Sequence, residues 1–501
     1  MQAQTPYLDG SPAATLLGQC RFGEALSATA SAAAGTPRSL LASIAAWHLG
    51  RTDESRHHAA RWGAASDVVD RGPLVSIIIP THDRRELLRR SLASVQAQLY
   101  RPLEVVVVND AGQRVDDLLP PSGEDLRFRL VHNATNLYLA RSRNEGLACA
   151  RGEWVLCLDD DDLLYPHHVG HLLAVAQREA ADLVVGVSLL HRRDGAAETI
   201  SAWPSHPFTV AALSRHNVAP VQAVLFRRAL AQDIGGFDGE LRSFEDWDFW
   251  LRAVQHVQRA ARTSVPTSCV DQRHQQQRMS SGRAVALWAH AVIERRHRAL
   301  FRAGIGPGAD AHHAAVRADL RAAAIADMAR WRRVALAVLE HDPPLTGWAR
   351  AVARALAPLQ LHEEYALPTA PSRHAAILQR LLAESRADRL VVVDPGLAPR
   401  LPSGLLPRLA LQLEADPQVA AVGPAFPAVG VVDGFVAVSG LEGLDHRCLV
   451  IDRAAAAAVA AQRWCHAPGV AEQWRALLEG IIAGGRRVGF GGGEALDARG
   501  A

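Results

Sequence analysis

Residues 74–110 read LVSIIIPTHDRRELLRRSLASVQAQLYRPLEVVVVND, two short apolar runs around a helical pattern. LVSIIIP (74–80) and LEVVVVND (103–110) are rich in β-branched residues and end in polar ones, the mark of buried strands. Between them Leu87, Leu88, Leu92 and Val95 recur at helical spacing. Strand, helix, strand in this order predicts a parallel sheet, whose ligand site lies in the loops at the strands' C-terminal ends. WVLCLDDDD (154–162) adds a third strand ending in four carboxylates.

Four segments follow from this centre. Residues 1–73 read as helices, with Leu40, Leu41, Ile44, Ala45 and Leu49 at helical spacing and Gly50 able to end the helix. The run from Leu40 to Trp62 is similar to one tetratricopeptide-type hairpin. One copy cannot bury its own face, so it is expected to pack on the next domain. Residues 74–285 form the α/β domain. Residues 286–345, rich in Ala and Arg, read as a helical extension or connector. Residues 346–501 turn α/β again, with LVVVD (390–394) and QVAAVGP (418–424) as strands and LLPRLALQLEADP (405–417) as a helix.

Composition narrows the class. The 501-residue chain is 49% hydrophobic and 21% charged, with formal net charge +2, which fits ample core and gives no field for nucleic acid. All 54 basic residues are arginine, which suits phosphate contacts. Six cysteines fall in no C-x-x-C pair, so their spacing predicts neither a zinc site nor a disulfide framework; reduced buried thiols in a cytoplasmic protein are expected. The N-terminal stretch lacks a basic start followed by an apolar run, and no window nears ~20 uninterrupted apolar residues. Neither a signal peptide nor a transmembrane helix is expected, so a membrane-borne substrate would be met from the cytosolic face, by peripheral contact.

Asp159, Asp160, Asp161 and Asp162 repel one another unless a cation neutralises them, and oxygen-only ligands favour Mg²⁺ or Mn²⁺. A solvated acidic turn is the plainer alternative. The position at the end of a buried strand moves the reading toward metal. Asp110 can accept from an N–H on a nucleobase edge, or cap its own turn. Pro80, Thr81 and His82 can offer backbone groups to a nucleotide. Glu245 and Asp246 open a predicted helix, where the dipole alone would favour acids; the functional reading makes Asp246 a general base.

Taken together, these pieces resemble glycosyltransferase family 2, whose domain has the GT-A fold. VSIIIPTHDR (75–84), EVVVVNDAG (104–112), NLYLARSRNEGLACARGEWVLCLDDDD (136–162) and GGFDGELRSFEDWDFWLR (235–252) stand in family order. The resemblance implies that Asp110 binds the base, most often uracil. It makes Asp159 and Asp161 the ends of a D-x-D motif, with Asp161 the direct metal ligand and Asp160 beside them at the nucleotide sugar. It sets Arg143 near the nucleotide, makes Asp246 the catalytic base, and puts Glu245 beside it to place the acceptor. His274, in DQRHQQQRMSSG (271–282), falls where relatives often carry a histidine for the metal or diphosphate. Two positions depart from the family: Tyr138, where glycine is frequent, and Asp83, where asparagine is.

The implied activity is metal-dependent inverting transfer from a nucleotide-diphosphate sugar to a glycan or lipid-linked acceptor. Two other classes compete: a sugar nucleotidyltransferase, whose Gly-rich basic loop is absent, and a nucleotide-sugar-binding scaffold. Residues 385–460 resemble a second, decayed copy, in which the D-x-D position reads Asp394, Pro395, Gly396 and no second acid pair follows. Donor sugar, acceptor, linkage and oligomeric state are not fixed by these motifs.

Overall fold

The computed structural model describes residues 11–63, 68–203, 206–273, 283–331, 334–339, 361–367, 371–393, 409, 419–423, 436–438, 448–452, 456–459, 470–483 and 487–490. His274, the Asp394–Gly396 tripeptide and, apart from Leu409, the predicted helix at 405–417 lie outside them. The chain divides into two units: residues 1–280 with 297–310, and residues 281–296 with 311–501.

In the first unit, β1 (Arg71–Thr81), β2 (Arg101–Asn109), β3 (Leu126–His132) and β4 (Trp154–Cys157) are parallel. They continue through β8 (Val224–Arg227), antiparallel, into β6 (Leu183–Asp194) and β9 (Ala260–Asp271), giving the order β3-β2-β1-β4-β8-β6-β9-β5. β5 is the two-residue strand Leu163–Leu164, and β7 (Ala197–Ala202) pairs with β6 as a hairpin. This mixed, mostly parallel sheet is the GT-A arrangement.

Both faces of β1 are covered, as parallel strands require. Ile77 and Ile79 join Leu88, Leu92 and Val95 of α5 (Arg85–Gln96) in the main core. Ile78 meets α6 (Tyr138–Cys149) at Gly146, where a Cβ would lie 2.3 Å from the Ile78 Cγ2. Glycine is required there by the close approach of helix to strand.

Four helices precede the sheet: α1 (Pro12–Gly18), α2 (Phe22–Ala28), α3 (Pro37–His48) and α4 (Thr52–Gly63). Leu17, Leu40, Leu41, Ile44 and Trp62 pack with Leu163, Tyr165, Leu189 and Cys269 in one buried cluster. The single helical hairpin buries its face against the sheet domain rather than against further copies of itself.

Among the described residues the second unit holds a seven-stranded sheet, which takes in Val334–Leu339, within the stretch whose sequence reads as a connector. Helix Arg298–Ile305, from the same stretch, groups with the first unit. Six strands of the second sheet repeat six of the first. Across the sheet, β11-β10-β12-β15-β13-β16 (Leu361–Leu367, Val334–Leu339, Arg389–Val393, Cys448–Asp452, Val419–Gly423, Arg487–Phe490) follows the same chain-order pattern as β2-β1-β4-β8-β6-β9. The directions also agree: parallel, parallel, antiparallel, antiparallel, parallel in both. The topology of the C-terminal unit is therefore that of a second transferase-like sheet.

Candidate active site

The loops at the C-terminal ends of β1 and β4 face the start of α10 (Glu245–Ala253) across a cleft of about 260 Å³. Pro80, Arg84, Asp159, Asp160, Asp161, Asp162, Asn217, Gln222, Glu245 and Asp246 line it, with Trp203 and Phe244 among its apolar walls. Asp161 and Asp246, from distant parts of the chain, thus share one hollow.

The four aspartates do different work. Oxygens of Asp159, Asp161 and Asp162 lie within 4.8 Å of one another. Asp160 is buried and turned to Thr81, whose Oγ1 donates to it at 2.7 Å, and to Arg84 at 3.0 Å. Burial, only partly offset by Arg84, raises the Asp160 carboxyl to about 7. The Arg84 Nη1 also reaches Asp161 at 3.3 Å, so one guanidinium stands against the acidic turn, with its Nη2 buried and unpartnered. Asp162 Oδ1 accepts the Asp271 N–H at 3.1 Å, tying the turn to the end of β9. An all-oxygen set this close fits a hard divalent cation.

Arg143 is almost wholly buried and joins the two halves of the site. Its Nη1 donates to Glu245 Oε1 at 2.5 Å and its Nη2 to Asp159 Oδ1 at 2.6 Å. Burial opposes its charge, but Asp159 and Glu245 outweigh that and hold it firmly protonated. Arg143 is not among the lining residues, so it supports two carboxylates that are.

Asp246 sits on the first turn of α10. Asn217 Nδ2 donates to its Oδ2 at 2.8 Å, and the Trp247 N–H to its Oδ1 at 2.8 Å. Burial first, and then the Glu245 charge, push the Asp246 carboxyl up to about 7, into the range of a working general base.

Asp110 is buried at the end of β2 and is not among the cleft-lining residues. Its Oδ1 accepts from Asn133 Nδ2 and the Leu137 N–H, while its Oδ2 is buried with no hydrogen-bond partner among the described residues. The His82 Nδ1 bonds the Asp110 carbonyl at 2.7 Å, linking it to the Pro80–Thr81 strand end.

Asn217 and Gln222 carry no motif and escape a reading of the sequence, and Arg84, the last residue of the VSIIIPTHDR run, gets no role from it. Gln222 is fully buried with both amide atoms unpartnered, and it lines the cleft. Nothing local in NVAPVQAVLF signals this; only the approach of β8 to α10 reveals it. Asp248 is also buried, but it is absorbed by Arg252 at 2.9 Å and His297 at 2.9 Å, which fasten α10. Asp271 is likewise held by Arg273 and Arg90, which overcome burial and keep its carboxyl well below the usual range.

The family model described as "Glycosyl transferase family 2" matches residues 76–229. A "PGL/p-HBAD biosynthesis glycosyltransferase" of Mycobacterium bovis is 30% identical over 193 residues, covering 37% of this chain and 71% of the relative. A "Putative colanic acid biosynthesis glycosyl transferase" of Escherichia coli is 27% identical over 192 residues, covering 36% and 66%. Among solved structures, a mannosyltransferase of Pyrobaculum calidifontis in complex with GDP-Man and Mn²⁺ is similar at TM-score 0.36 and 19% identity, covering 58% of this chain and 86% of that one. The chain belongs to glycosyl transferase family 2, and the enzyme domain in its first unit is a glycosyltransferase.

Proposed function

We propose that the first unit transfers a sugar from a nucleotide-diphosphate donor, of the UDP class, to an acceptor hydroxyl with inversion at the anomeric carbon. The observation that carries this reading is the shared cleft of Asp161 and Asp246, braced through the Arg143 bridge between Asp159 and Glu245.

Asp159, Asp161 and Asp162 would hold Mn²⁺ or Mg²⁺. When bound, such an ion supplies a Lewis acid for the charge growing on the departing diphosphate. The rest of the work falls to the chain. Asp110 Oδ2 accepts an N–H of the base, with Pro80, Thr81 and His82 alongside. Asp246 takes the proton of the acceptor hydroxyl as that oxygen attacks the anomeric carbon from the face opposite the leaving group. One displacement inverts the centre and needs no protein nucleophile. Asn217 and the Trp247 N–H fix the carboxylate so that its free lone pair points at the acceptor. Glu245, clamped by Arg143, places that acceptor. The names of two relatives, both biosynthetic glycosyltransferases, support a glycan or lipid-linked glycan as acceptor. No described helix is long and apolar enough to cross a membrane, so we place such an acceptor at the cytoplasmic membrane face, reached by peripheral contact.

A donor screen tests the reading: full-length protein, Mn²⁺ and a panel of nucleotide sugars, following release of nucleotide diphosphate. Release from at least one UDP-sugar, dependent on Mn²⁺, is expected. Asp161→Asn should weaken Mn²⁺-dependent donor binding at least tenfold by calorimetry. Equal donor affinity in that variant, with and without Mn²⁺, would count against the metal assignment.

A further inference from the structure

A second cluster of ligand-type side chains lies away from the cleft, where the N-terminal helices meet β6. Cys20 follows α1, and His191 and Glu198 stand on the two strands of the β6–β7 hairpin. The Cys20 Sγ lies 3.5 Å from His191 Nε2, and Glu198 Oε2 lies 3.0 Å from the same nitrogen. One ligand atom from each residue falls within 4.8 Å of the others. An imidazole nitrogen carries either one proton or one lone pair. It cannot donate to the carboxylate and accept from the thiol at once, so hydrogen bonding leaves one of the three short. Nδ1 of the same ring is buried and has no hydrogen-bond partner among the described residues.

We propose that Cys20, His191 and Glu198 form a binding site for one divalent cation of the zinc class, joining the N-terminal helices to the β6–β7 hairpin. Tetrahedral coordination at ~2.3 Å to sulfur and ~2.1 Å to nitrogen spans an S···N edge of about 3.6 Å, close to the separation already present. A thiolate and a carboxylate together neutralise a dication. Arg193 Nε donates to the other carboxylate oxygen of Glu198 at 2.9 Å, which leaves Oε2 facing the histidine. Arg273 approaches Oε2 only to 3.8 Å, and its charge is committed to Asp271 at 2.6 Å.

A neutral imidazole offers its lone pair and the cysteine binds as thiolate, so loading the site releases the Cys20 proton to solvent. Cys20 is only half-buried, which gives the ion a way in. Ligand-type atoms of His191, His48 and Cys269, one from each, also lie within 4.8 Å of one another. The cysteine spacing could not signal this site, because its three members stand at positions 20, 191 and 198.

The test uses chelator-stripped full-length protein titrated with Co²⁺. One equivalent should produce the near-ultraviolet charge-transfer absorption of a cobalt–thiolate bond, which the all-oxygen aspartate cluster cannot give. The band should vanish in Cys20→Ser and persist in Cys269→Ser. Glu198→Gln should weaken Co²⁺ at least about tenfold. Zn²⁺ should raise the unfolding temperature of the wild type by more than that of Cys20→Ser, in which only the aspartate cluster remains to bind it. Absence of a thiolate band in the wild type, its survival in Cys20→Ser, its loss in Cys269→Ser, or unchanged Co²⁺ affinity in Glu198→Gln would each overturn the site. None of these readouts depends on sugar transfer.

Discussion

Asp246 illustrates how a single side chain acquires a function from its surroundings. On an exposed helix start a carboxylate is an ordinary dipole partner. Half-buried beside Glu245, it ionises near neutrality, and only its charged form can take a proton. Turnover is therefore expected to rise with pH through about 7. Asn217 donates to the charged form, so it holds that limb down. A hydrogen bond to a charged group is worth ~1.5 kcal/mol, and Asn217→Ala should move the limb upward by about one pH unit. A pH–kcat profile checks this; an unmoved limb would assign Asn217 to packing alone. The aspartate run, Asp110 and the Glu245–Asp246 pair were all visible in the sequence because each ends or begins a regular element. Their partners were not. Arg84 and Asn217 owe their roles to contacts across the cleft that no local pattern records.

At the scale of elements, the strands and helices around the site were legible because β-branched runs and 3.6-residue periodicity are local signals. The two departures from the family also find physical reasons. Tyr138 has φ 65 and Asp83 has φ 55, left-handed conformations that glycine and asparagine adopt most easily. Tyr138 is retained in that strained position under the Arg242 guanidinium, whose carbon lies 3.8 Å from the ring centroid. Gly146 is the opposite case, a glycine demanded by space. Gly146→Val would drive a branched side chain into Ile78 and part α6 from β1. A loss of about 2 kcal/mol in urea unfolding is expected; a neutral result would mean that the helix lies farther from the strand than described. The pairing of β8 between β4 and β6, which brings Gln222 to the cleft, could not be read from spacing, since it joins residues about 70 positions apart on one side and about 40 on the other.

Across the whole chain, six strands of the second unit repeat the order and directions of six in the first, a relation the sequence only hinted at through LVVVD (390–394). Its D-x-D position reads Asp394, Pro395, Gly396, so the pair of carboxylates needed to share a cation with a diphosphate is broken. We expect the full chain to bind one equivalent of Mn²⁺-dependent nucleotide diphosphate, at the first unit. Calorimetric stoichiometry near two would show that the second unit keeps a donor site of its own. Its role is then better sought in holding the acceptor or the assembly than in chemistry.

The most direct measurement compares Asp246→Asn with the wild type for both donor affinity and turnover. If the cleft works as described, the variant binds the nucleotide sugar as tightly as before while turnover falls by roughly 10²–10⁴-fold. Turnover equal to the wild type's would contradict the account, because the proton of the acceptor would then be leaving by another route.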